Sequence, residues 1–366
     1  MDEKTIKKRV KTIRQLTRAK KLDCLILSGP ENVSFFTGFT GRDSWAVISR
    51  QKVKLITDSR YTEQAERECV NCRIIERKGT MAKAVAQVIG RSKSVQTAAI
   101  ESRCSVSAFK ELKKQLKIRL KAVTGIVESV RRTKDPGEVK AIRTAVKLAW
   151  QGLDKALAKV KAPMTESELA ALLDFNIRKT GSANSFETIV AFGAGASCPH
   201  YQPTLRKLRT NDTILIDFGA KYKGYCCDMT RCFVVGKVNR FYQKAYTAVV
   251  QAQRAAIKMV RPGVKVAEVD AAARKVLAEF GLPQFGHGTG HGLGLEVHEM
   301  PVITDTAKDK LKAGDVVTIE PGVYIPGKIG IRIEDDVLIT ETGCRVLSEM
   351  DSFRFSRKDL PILKCR

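Results

Sequence analysis

All four histidines of this 366-residue chain fall between His200 and His298. Three of them share one stretch, His287 to Glu299, which reads HGTGHGLGLEVHE. Imidazole titrates near neutral pH and is the commonest metal ligand. The interleaved glycines let the backbone bend closely around something small. Two acids precede that stretch and two follow it. Asp217 ends TILIDFG, Asp228 lies in GYCCDMTRCF, Glu320 in VVTIEPGVY and Glu334 in GIRIEDDVLI. A carboxylate set in apolar strand sequence is costly to desolvate unless it is paired, hydrogen-bonded or bound to metal. A single strand-end acid usually caps a turn or meets a lysine. Four acids with His291 among them are a different matter: they form an oxygen-rich set suited to Mn²⁺, Co²⁺, Fe²⁺ or Zn²⁺, and large enough for two ions sharing bridging carboxylates. Arg332, two residues before Glu334 on a strand, points to the same face as that acid, where it could orient the site or meet a substrate carboxylate.

Apolar periodicity shows which helices and strands carry these groups. Ile6, Val10, Ile13 and Leu16 predict an amphipathic helix over residues 4–21. Short strands at Cys24–Leu27, Trp45–Ser49, Val53–Thr57 and Thr97–Ile100 alternate with helices at Thr62–Cys69, Met81–Ile89 and Ser107–Gln115, an α/β pattern. TKDPGE, Thr133 to Glu138, looks like a boundary because Asp135 before Pro136 starts a helix. The expected domains are therefore 1–130 and 131–366. In the second, helices at Val139–Val160 and Glu166–Thr180 precede strands at Thr188–Phe192, Thr213–Phe218 and Tyr225–Val235. Helices at Arg240–Met259 and Val266–Phe280 then precede strands at Val316–Ile319, Ile329–Ile333 and Asp336–Ile339. Helix, helix, strands is written twice, which suggests a duplicated α+β unit.

Composition excludes several classes. No apolar run approaches a membrane span, and the basic first twenty residues lack the apolar core of a secretory signal, so the expected compartment is cytoplasmic. Ten cysteines scattered through a long chain read as reduced thiols, and the one CxxC, Cys69 to Cys72, has no partner pair at zinc spacing. The net charge of +26 is concentrated early: residues 1–134 hold 31 Lys and Arg against 13 Asp and Glu, and the remainder 34 against 26. Such a field attracts polyanions, yet no nucleic-acid-binding signature accompanies it.

The ordered set Asp217, Asp228, His291, Glu320 and Glu334, embedded in HGTGHGLGLEVHE, EPGVY and IRIED, resembles the M24 metallopeptidases of the pita-bread fold, and within them the Xaa-Pro peptidases, aminopeptidase P and prolidase. TDSRYTEQA, Thr57 to Ala65, extends the likeness more loosely into the first domain. The resemblance implies an α+β protein: a pita-bread (creatinase/aminopeptidase) C-terminal domain and a smaller α/β creatinase-like N-terminal domain. It implies two divalent ions on the five residues, Mn²⁺ first and Co²⁺, Fe²⁺ or Zn²⁺ as alternatives. Asp228 and Glu334 would bridge them, with a hydroxide lying between. Glu320 would also act as general base or proton shuttle. His200 would approach the scissile bond, while His287 and His298 would contact the proline side and stabilise the oxyanion. The implied substrate is a peptide with proline in second position and the implied assembly a homodimer. Dipeptidase and aminopeptidase P both remain open. Cys226 and Cys227 depart from the family, which usually carries at most one thiol there; strand alternation would put Cys226 on the Asp228 face and Cys227 opposite. The other reading, a pita-bread protein turned nucleic-acid or protein binding module through its basic surface, has the charge in its favour and the intact ligand set against it.

Overall fold

Ile6, Val10 and Ile13 are buried along one face of the helix Glu3–Ala19, while its lysines stay in water. That helix opens the first of two units, Met1–Arg131 and Arg132–Arg366, in a computed structural model that describes residues 3–90, 95–353, 355 and 360–363. The first unit is built on a six-stranded sheet. Cys24–Leu27, rich in β-branched and leucine side chains, lies inside it, antiparallel to Trp45–Ser49 and parallel to Thr97–Glu101. The short helix Pro30–Thr37, between two of these strands, is not apparent from periodicity because both of its faces are largely buried. Among the described residues no helix is long and apolar enough to cross a membrane, and none of the described cysteines is in a disulfide.

The second unit begins with the helix Pro136–Leu157. Asp135 accepts a hydrogen bond from the Glu138 N–H, and the Glu138 side chain accepts one from the Asp135 N–H, a reciprocal cap that fixes where the helix starts. Glu166–Lys179 is capped in the same way by Thr165 and Glu168. The two halves of the unit repeat one construction. In the first, Glu166 N–H donates to Arg206 O, Leu208 N–H to Met164 O, and Asp212 accepts from the Arg209 N–H. In the second, Val266 N–H donates to Asp309 O, Leu311 N–H to Val264 O, and Asp315 accepts from the Lys312 N–H. At the same spacing beyond Asp212 and Asp315 come Asp217, in the strand Thr213–Phe218, and Glu320, just past Val316–Ile319. The duplicated pattern thus brings one acid from each half to equivalent places.

One expected strand is interrupted. Tyr225–Val235 is two strands, Tyr225–Cys226 and Met229–Val235, belonging to different sheets. The chain changes sheet at Cys227, whose carbonyl accepts from Ser185 Oγ and lies against Gly219, where any Cβ would collide with it. Simple alternation therefore fails across Cys226 to Asp228. The Cys226 thiol is turned toward Leu295 O and Cys227 Sγ accepts from the Ala220 N–H. Burial pushes the Cys226 thiol up to about 11, so it stays protonated and unreactive at neutral pH.

Behind the site lies Trp150, fully buried, with Phe218 edge-on at 5.4 Å, the Arg231 guanidinium 5.1 Å from its ring centroid and its indole N–H on Ser348 O at 2.8 Å. Trp150→Ala should cost about 3–5 kcal/mol, read as a lower urea midpoint, and Trp150→Phe clearly less.

Candidate metal centre

Asp217, Asp228, His291, Glu320 and Glu334 arrive from different strands or from residues beside them. Asp228 sits at the sheet change, Glu334 precedes the strand Asp335–Ile339, and His291 is central in Gly290–Gly292. Gly290 is required there, because a Cβ would lie on Thr318 O. Ligand atoms of Asp228, His291 and Glu334 all fall within 4.8 Å of one another. His291 Nε2 is 3.3 Å from Glu320 Oε1 and 3.8 Å from Asp228 Oδ2.

The imidazole of His291 has a defined tautomer. Its Nδ1 lies 3.0 Å from Gly292 O, and a carbonyl can only accept, so Nδ1 carries the proton. Nε2 then presents a lone pair to the acids, the orientation a metal-ligating histidine needs. Burial lowers the His291 pKa, which keeps the ring neutral. Burial also raises the Asp228 carboxyl well above its usual range, and the charges of Glu334, Asp217 and Glu320 add to the effect. Glu334 is raised for the same first reason, then by Glu320 and Asp217. Asp217 Oδ1 and Asp228 Oδ1 are buried with no hydrogen-bond partner among the described residues. Unpartnered carboxylate oxygens beside a neutral imidazole lone pair are what a divalent cation would satisfy, so the donor set fits metal.

Arg332 is buried and its guanidinium makes four hydrogen bonds. Nη2 donates to Asp217 Oδ2 at 2.6 Å, Nε to Thr230 Oγ1 at 2.9 Å, and Nη1 to Tyr324 OH at 3.0 Å and Pro199 O at 3.3 Å. Of the two roles expected for it, orienting the site is the one these bonds favour. Thr230 passes the restraint on, donating to Glu334 Oε2 at 2.6 Å. Tyr324, holding the Arg332 bond, gives its own proton toward His287 Nε2 at 3.0 Å, while His287 Nδ1 donates to Gly288 O at 2.8 Å. Thr318 Oγ1 fixes Glu320 Oε1 at 3.1 Å. Sequence reasoning misses Tyr324, Thr230 and Thr318; Thr230 and Thr318 each lie two residues from an acid, which is the only signal they carry.

His200 and His298 are exposed, and neither ring is hydrogen-bonded to another described residue. Their loops are nonetheless anchored. The fully buried Glu166 carboxylate accepts from Phe192 N–H, Tyr201 OH, Thr204 N–H and Thr204 Oγ1, closing the loop that carries His200. Beside His298, Glu299 takes the buried Lys134 ammonium at 3.0 Å. The His298 ring meets that of His291 edge-on, centroids 4.4 Å apart.

The profile described as Metallopeptidase family M24 matches residues 140–341, and that described as Creatinase/Prolidase N-terminal domain matches residues 9–133. A Bacillus subtilis protein named Uncharacterized peptidase YqhT is 35% identical over 358 residues, 97% of this chain and 100% of its own length. Among solved structures, Xaa-Pro dipeptidase from Bacillus anthracis has a TM-score of 0.92 at 32% identity, covering 98% of this chain and 100% of that one. X-Pro aminopeptidase from Thermotoga maritima has a TM-score of 0.86 at 34% identity, covering 95% and 99%.

A carboxyl whose folded pKa lies above its unfolded value binds its proton more tightly when folded, so its ionisation at neutral pH costs stability. Asp228→Asn removes such a charge, and Oδ1 has no hydrogen bond to lose. In chelator-stripped protein the variant should unfold at a higher temperature than the parent. Mn²⁺ at a hundred times its Kd should stabilise the parent by about 2.7 kcal/mol and the variant far less. A metal-free variant less stable than the metal-free parent contradicts the repulsion argument.

Proposed function

Because the chain belongs to metallopeptidase family M24, with a creatinase-type N-terminal domain and a pita-bread domain, we propose that it is a dinuclear-metal exopeptidase cleaving between an N-terminal residue and proline. The observation that carries this reading is the cluster of Asp228, His291 and Glu334, with ligand atoms within 4.8 Å of one another and Glu320 Oε1 3.3 Å from His291 Nε2, whose lone pair is turned toward the acids. The relatives' names, Xaa-Pro dipeptidase and X-Pro aminopeptidase, supply the substrate class.

Asp217, Asp228, His291, Glu320 and Glu334 would hold the ions, with Asp228 and Glu334, both buried, as the shared ligands that the family resemblance implies. Mn²⁺ is the first choice for so oxygen-rich a set. Bound there, divalent ions supply Lewis acidity to a peptide carbonyl and make water acidic near neutral pH.

The chain's own residues do the rest. Glu320 has Oε1 tied to Thr318, which leaves Oε2 to take up a proton and return it to the departing amine. Burial raises its pKa, bringing that exchange closer to neutral pH. His287 is held neutral by burial and oriented by Tyr324, presenting a fixed ring beside Glu320. His200 and His298, with ring nitrogens free of protein partners among the described residues, are available to hydrogen-bond the substrate around the scissile bond and its proline. Arg332 keeps Asp217 and Tyr324 in place.

On protein stripped with chelator and reloaded with Mn²⁺, Xaa-Pro dipeptides and Xaa-Pro-Yaa tripeptides should release their first residue, and Xaa-Ala controls should not. Asp228→Ala should lower that rate by about a thousandfold or more. The ratio of dipeptide to tripeptide turnover assigns the subclass. Protein that binds metal and releases nothing from any Xaa-Pro substrate contradicts the assignment.

A further inference from the structure

His287 lies between Gly286 and Gly288, so its own backbone is poorly restrained by local sterics. It is restrained from behind instead, by a pair of residues one turn apart on the helix Val266–Glu279. Arg274 and Asp270 form an i,i+4 ion pair, with Nε to Oδ2 at 2.6 Å and Nη2 to Oδ1 at 3.2 Å. The Arg274 guanidinium lies 4.1 Å from the Phe285 ring centroid and spends its remaining donors on the loop: Nη1 on Phe285 O at 2.9 Å, Nη2 on His287 O at 2.8 Å. Asp270, fully buried, takes the Thr289 hydroxyl at 2.7 Å and the Thr289 N–H at 3.2 Å. Three alternate residues, Phe285, His287 and Thr289, are thus fastened to one helix. Thr289 O in turn accepts from the Glu320 N–H at 2.8 Å, so the same clasp reaches the backbone of an acid in the cluster.

We propose that the Arg274–Asp270 pair is a positioning device for His287, setting where its ring stands between Tyr324 and Glu320. Neither side chain is among the five acidic and imidazole residues of the cluster, and nothing in the family resemblance assigns the pair a role. The geometry favours positioning over plain helix stabilisation. A surface i,i+4 pair would be worth little, whereas here the planar fork is matched to two carbonyls of the histidine loop and to one buried carboxylate. Without the fork, a loop bracketed by glycines can move its imidazole by the ångström or so that costs a reaction dearly.

The consequence for turnover rests on the peptidase reading; the structural claim does not, and the experiment separates them. Arg274→Gln and Arg274→Lys are prepared together, since Arg274 is partly exposed and the lysine keeps the charge opposite Asp270. With four histidines in the chain, four imidazole signals appear in the NMR spectrum of ring-labelled, chelator-treated protein, each assigned by single substitution. The His287 signal should move in both variants, most in Arg274→Gln, while those of His200, His291 and His298 stay. With Mn²⁺ restored, kcat on an Xaa-Pro peptide should fall about tenfold or more with metal affinity changed by less than about twofold. A merely structural role would lower the unfolding temperature and leave the His287 signal and kcat in place, and that result overturns the proposal. If Arg274→Gln does not fold, Arg274→Lys decides by the same two readouts. If the parent cleaves no Xaa-Pro substrate, the peptidase reading fails and the His287 signal alone still decides on the clasp.

Discussion

Four carboxylates that share a buried space repel one another, and desolvation removes the water that would otherwise screen them. Asp228 and Glu334 feel this most: each is driven toward its protonated form by burial first and by the neighbouring acids second. A fold that keeps such a group of charges together is not stabilised by them in isolation. It has to supply either protons or cations. The neutral His291, with its lone pair among the acids, is consistent with cations.

The rest of the second unit can be understood as the apparatus that holds these acids against their repulsion. Each half of the duplicated construction fixes its helix start to a loop by paired backbone bonds and then runs a strand that ends at one acid, Asp217 or Glu320. The sheet change at Cys227 aims Asp228. Arg332, a buried cation whose Nη2 donates to Asp217 Oδ2, neutralises part of the charge there and carries the arrangement outward through Thr230 and Tyr324. The exposed histidines ride on loops whose anchors, Glu166 and Lys134, are buried away from solvent. Rigid support and available side chains are thereby separated.

Much of this could be read from sequence because it is local. Strands such as Thr213–Phe218 and the helix Arg240–Met259 announce themselves by period, and the acids stand out as charges in apolar runs. The duplication was also legible, since it is a repeated order of elements. What stayed hidden depends on contacts distant in sequence. The break at Cys227 follows from Gly219 and Ser185 pressing on one carbonyl. Tyr324 looks like any strand tyrosine until it is seen between Arg332 and His287. Arg274 and Asp270 read as an ordinary helix-surface pair, and only the folded chain shows their partners to be the carbonyls and hydroxyl of the histidine loop.

The acid cluster is proposed to hold two cations that share carboxylates. Electron paramagnetic resonance of chelator-stripped protein titrated with Mn²⁺ tests it most directly. Ions about 3.5–4 Å apart across bridging carboxylates interact magnetically, so the spectrum should pass to that of an exchange-coupled pair as the second equivalent binds. A spectrum that remains that of isolated Mn²⁺ at saturation, or saturation at a single ion, would contradict it.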